Sequence, residues 1–144
     1  MTTLTLSRPA TFVITVPHAA FDSSTASDLR QALGRLVAPA RRLVLDLSRV
    51  RSLDSAGIGV LVGMARRAAA QGGEVKLCSL SRQLAAIAEL VRLDRALEIF
   101  ATREEAVEAL GLSESRVPTI DLPHSAETTR RPLLRRLALL PSWS

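Results

Sequence analysis

Asp54-Ser55-Ala56-Gly57 is the stretch of this chain best equipped for chemistry. The apolar residues Leu43, Val44, Leu45 and Leu47 precede it, and Ile58, Leu61, Val62, Ala65 and Ala69 follow at helical spacing. Ser55 therefore falls at the start of a helix, where unpaired backbone N–H groups and the positive end of the dipole favour an anion. A phosphate there would add about −1.5 to −2 charge to an exposed corner. The same residues also have a purely structural use. Asp and Ser are preferred helix caps, and Ala56 and Gly57 permit close packing. No base lies nearby in sequence to activate Ser55 as a nucleophile. A serine that cannot activate itself can still be the substrate of another enzyme.

Other chemistries lack their residues. Gly57, Gly59 and Gly63 follow a strand and open a helix, but the dinucleotide fingerprint needs its third glycine where Val62 stands. It also needs an acidic residue after the next strand, where Cys78 and Ser79 stand. No Gly-Lys-Ser/Thr occurs, so a Walker loop is absent. The two histidines, His18 and His124, are far apart, and the single cysteine, Cys78, reads as a small buried hydrophobe in a strand. A catalytic zinc, a Ser-His-Asp triad and a disulfide framework are not expected. The expectation is a non-enzymatic chain with no cofactor and no metal.

The elements that must hold Ser55 can be traced along the chain. Residues 3–6 and 11–16 read as strands, the second ended by Pro17. Thr25 and Asp28 are spaced like an acidic capping box, and Leu29, Ala32, Leu33 and Leu36 form one helical face. Residues 43–47 read as a strand buried on both faces or at the sheet centre. The helix after Ser55 stops at Gly72-Gly73. A strand over 75–77, a helix carrying Leu84, Ile87, Ala88 and Val91, and a strand over 97–100 come next. Thr102 with Glu105 then caps a last helix that ends near Gly111. Strands alternating with helices predict an α/β domain over residues 1–111, with a four- to five-stranded mixed sheet and amphipathic helices packed on it.

Residues 112–129 mix Ser, Glu, Pro and Thr without period, which predicts a linker into a mobile basic tail. Within that tail Leu133, Leu134, Leu137 and Leu140 can share a face beside Arg135 and Arg136. The stretch between Pro132 and Pro141 is shorter than the ~12–15 residues an isolated helix needs, which favours a mobile extension over the alternative of a docking or membrane-touching segment. The pI of 11.1 reflects one lysine and no tyrosine more than a dense positive field, because the net charge is only +5. It divides as 14 bases against 11 acids up to residue 111, and 5 against 3 beyond. No basic stripe with interleaved aromatics appears, so direct nucleic-acid binding is not expected. No run approaches the ~18 apolar residues of a membrane span, and no signal peptide opens the chain. Cytoplasmic location without stable membrane insertion is the expectation.

Three sets of residues carry a resemblance over residues 12–110: Phe21-Asp22-Ser23-Ser24-Thr25-Ala26, the run 43–50, and Leu53-Asp54-Ser55-Ala56-Gly57-Ile58-Gly59-Val60-Leu61. Together with Leu93-Asp94 and Ile99-Phe100-Ala101-Thr102 they resemble the STAS domain, and within it the bacterial anti-sigma factor antagonists. The resemblance implies a single STAS-like domain whose unphosphorylated form binds an anti-sigma factor that is also a serine kinase. It implies Ser55 as phosphoacceptor, flanked by Asp22, Asp54, Ala56 and Gly57, and a serine phosphatase that resets it. Ala56 stands where some relatives carry a second hydroxyl residue, which leaves Ser55 as the only acceptor in the motif. The alternative is a STAS scaffold: an accessory subunit of a lipid-transport ATPase, or part of a multi-STAS stress complex.

Overall fold

The computed structural model describes residues 11–122. The expected strand at 3–6 and the leucine–arginine segment of the tail lie outside them. Five strands form one sheet: β1 (Thr11–Thr15), β3 (Arg42–Asp46), β5 (Glu74–Cys78), β6 (Glu98–Phe100) and β7 (Thr119–Asp121). Their order is β6-β5-β3-β1-β7, and every described pairing runs parallel. A second, two-stranded parallel ribbon joins β2 (Ala20–Phe21) to β4 (Ser52–Leu53). The α/β architecture read from the alternating pattern is the one observed.

Strand alternation sends the β3 side chains to two cores. Leu43 and Leu45 join the larger core, with α1 (Ala26–Gly34), α2 (Ser55–Ala70) and α3 (Arg82–Leu90). Val44 joins Val13 and Cys78 in the smaller one, under α4 (Arg103–Glu108). Burial on both faces explains why β3 is apolar nearly throughout. Helix α2 ends before Gly72, whose φ of +79° is the left-handed turn that glycine adopts without strain.

The boundary at residue 111 must be corrected. After α4 the chain runs back across the same sheet face through a 3₁₀ turn (Glu114–Arg116), and β7 docks beside β1. Val13 pairs Thr119, Ile14 pairs Ile120 and Thr15 pairs Asp121. Val117, Ile120 and Leu122 are buried. Residues 112–122, read as linker, supply an edge strand and part of both cores. The three-residue strand is too short to show a period, and its partners lie about a hundred residues away in sequence.

Candidate functional site

The site is built where the small ribbon meets the first turn of α2. Phe21 is fully buried, and its carbonyl lies against Gly57. A Cβ on Gly57 would stand 2.0 Å from the Phe21 oxygen and 2.9 Å from its ring. Only glycine lets the helix start come this close to β2. Gly59 and Gly63, by contrast, face open space. The glycine run therefore serves packing at its first position and has no cradle-like crowding at the others.

Asp54 caps α2. Its Oδ1 accepts hydrogen bonds from the Ala56 N–H at 2.9 Å and the Gly57 N–H at 3.1 Å. Its Oδ2 accepts from the Ser23 N–H at 3.2 Å, across 31 residues of sequence. One carboxylate thus ties the helix start to the turn between β2 and α1. That turn carries Asp22, whose Oδ1 accepts from the Ser24 N–H at 3.0 Å and the Ser24 hydroxyl at 2.6 Å. The Ser24 hydroxyl bond, with the backbone bonds behind it, holds the Asp22 carboxyl below its ordinary value of 3.8, against a small opposing effect of burial. The expected Thr25–Asp28 capping box does not form. Thr25 Oγ1 instead donates to the Ala20 carbonyl at 2.9 Å and accepts from the Asp22 N–H at 3.2 Å. The hydroxyl closes the turn beneath Asp22 in place of capping the helix.

Ser55 is exposed at this rim, with Asp54 directly before it and half-buried Ala56 and buried Gly57 after it. Geometry changes the electrostatic expectation for the serine. The Ala56 and Gly57 amides that a phosphate would seek are already engaged by Asp54, and the Ile58 N–H bonds to the Asp54 carbonyl at 2.9 Å. The helix tip is thus already neutralised by an anion. Among the described residues neither Asp22 nor Asp54 forms an ion pair. A phosphate on Ser55 would stand next to the Asp54 carboxylate, which is bonded to the turn that carries Asp22.

The remaining sequence candidates fall elsewhere. Cys78 is fully buried; burial, more than any neighbouring charge, pushes its thiol up to about 11, as a structural cysteine requires. Asp46 and Arg103, which sequence reading passed over, form a largely buried ion pair at 2.8 Å behind it. His18 is buried in the β1–β2 connection. Among the described residues no three His, Cys, Asp or Glu gather into a metal-binding group, and no helix is long and apolar enough to cross a membrane.

Residues 5–106 match the model of the STAS domain, and the chain belongs to that family. It is 33% identical over 87 residues to the anti-sigma-B factor antagonist of Bacillus subtilis, a match covering 60% of this chain and 80% of that one. It is 34% identical over 67 residues to a Thermotoga maritima protein that carries the provisional name of anti-sigma factor antagonist. That match covers 46% of this chain and only 59% of the relative. A sulfate transporter family protein from Wolinella succinogenes superposes with a TM-score of 0.61 at 17% identity, over 70% of this chain and 84% of that one. At that identity the likeness is one of fold. β7 lies outside the matched region.

Proposed function

We propose that this protein is an anti-sigma factor antagonist in a phosphorylation-controlled partner switch, with Ser55 as the acceptor. Unphosphorylated, it binds an anti-sigma factor serine kinase; phosphorylated, it lets go until a serine phosphatase resets it. The observation that carries the reading is the exposed Ser55 hydroxyl directly after Asp54, whose bond to the Ser23 N–H brings the Asp22 turn alongside. An interface closed over a neutral hydroxyl would have to desolvate a dianion beside two carboxylates once phosphate is added. About 1.4 kcal/mol of that penalty is already tenfold in affinity. The fold need not respond, because the helix cap is made by Asp54 and not by Ser55. The antagonist relatives support this reading over the scaffold, which the fold alone would equally allow.

Residue-resolved phosphopeptide mass spectrometry on the wild type and Ser55→Ala, after incubation with host lysate and ATP, tests it. Fragmentation must separate Ser52 from Ser55, which share the tryptic peptide 52–66. Phosphate on Ser55 that disappears in the variant is the expected result. Ser55→Asp should fold normally and bind the kinase at least about tenfold more weakly. Unmodified Ser55 beside a modified control substrate, or full binding by Ser55→Asp, would move the assignment to the scaffold.

A further inference from the structure

One concavity of the described surface has no part in the Ser55 site. It is a groove of about 630 Å³ between α3, the 3₁₀ turn Leu93–Arg95 and β6. Leu80, Ala85, Ala88 and Ile99 make its apolar wall, and Glu89 and Asp94 stand at its rim. Arg92 lies 4.0 Å from Asp94, whereas Glu89 has no ion pair among the described residues. A wall of this kind takes an amphipathic segment with basic flanks.

We propose that the groove is the docking site of the chain's own segment over residues 133–140. Leu133, Leu137 and Leu140 keep the i, i+4, i+7 spacing of groove-binding helices, and Arg135 and Arg136 are placed to pair with Glu89, the rim carboxylate without an ion pair among the described residues. Reach permits it. The sheet is parallel, so β7 and β5 end on the same side, and Leu80 comes just after β5 there. From β7 to β6 are four strand spacings, about 19 Å. Residues 123–132 can span about 33 Å. A segment too short to hold a helix alone gains from the groove what propensity cannot supply. The docking is independent of what binds at Ser55.

Paramagnetic broadening in the full-length protein decides it. A nitroxide on Ser142→Cys can be placed selectively, because Cys78 is buried and its thiol is pushed up to about 11. The amides of Ala85, Ala88 and Ile99 should lose most of their intensity, and those of Arg30 and Gly34 on α1 little. The pattern should persist on dilution and vanish in Leu137→Asp/Leu140→Asp, with the β3 amide shifts unchanged to show an intact fold. Groove amides broadened no more than the α1 amides would overturn the proposal. So would broadening that survives the double substitution. Broadening seen only between separately labelled chains would assign the groove to a second copy and likewise overturn it.

Discussion

Two helix starts in this protein use the same local device and end with opposite roles. At α2, Asp54 caps the Ala56 and Gly57 amides. At α4, Thr102 Oγ1 accepts from the Glu105 N–H at 3.1 Å, and Glu105 Oε1 accepts from the Ala101 N–H at 3.3 Å. The residue immediately after each cap has a different fate. Arg103 reaches back to Asp46 at 2.8 Å and donates to Thr119 Oγ1 at 3.2 Å, joining α4 to β3 and β7. Ser55 reaches nothing among the described residues and stays exposed beside two carboxylates that form no ion pair there. Capping decides where a helix begins. The surroundings decide whether the next side chain is structural or free for a partner.

The sharpest way to break this contrast is at the close approach beneath α2. Gly57→Ala relieves about 1 kcal/mol of helix propensity cost but drives a methyl into the Phe21 carbonyl. A net loss of about 2 kcal/mol is expected in denaturant unfolding. A neutral or stabilised variant would show that the ribbon yields and that the rim is not pinned by this contact.

Asp46→Asn comes next, with an expected loss of about 2 kcal/mol at neutral pH from the charged hydrogen bonds to Arg103. Burial opposes ionisation of Asp46, but the bonds from Arg103 and Ser48 outweigh it and hold the carboxyl below 3.8. Because the folded value is the lower one, this stability is complete above the unfolded value and is lost as pH falls through the folded one. The gap between wild type and variant should therefore close below about pH 4. A gap that stays constant in acid would mean that the ion pair is not its source.

Asp54→Ala removes a cap and the bridge to Ser23, with an expected cost of about 1.5 kcal/mol by thermal or urea unfolding. It should also raise amide exchange in both α2 and the turn at Asp22. Exchange confined to α2 would show that the bridge contributes nothing. Ser55→Ala should change stability least, within about 0.5 kcal/mol. A larger loss would place Ser55 with Arg103 on the structural side of the comparison.

Legibility tracked the range of the interactions. The cap at Asp54, the Thr102–Glu105 box and the stop at Gly72 were readable because each is made within about four residues by side chains whose preferences are local. β3 and α2 were readable from apolar period, and the family from motifs that keep their spacing. The Thr25 box misled because its hydroxyl accepts from the Asp22 N–H and donates to the Ala20 carbonyl of β2 in place of capping the helix. β7 was missed because three residues, only one of them buried, carry no periodic signal.

The sequence by itself determined the alternation of strands and helices, the caps, and a lone serine at a helix start next to an aspartate. Those depend on torsional preference, hydrophobic period and neighbouring side chains. Tertiary structure alone decided that Gly57 lies under the Phe21 carbonyl, that Asp54 bonds Ser23 across 31 residues, and that β7 completes the sheet. A hydrogen bond between distant segments depends on where packing brings the backbone, and local residue preferences do not encode that distance.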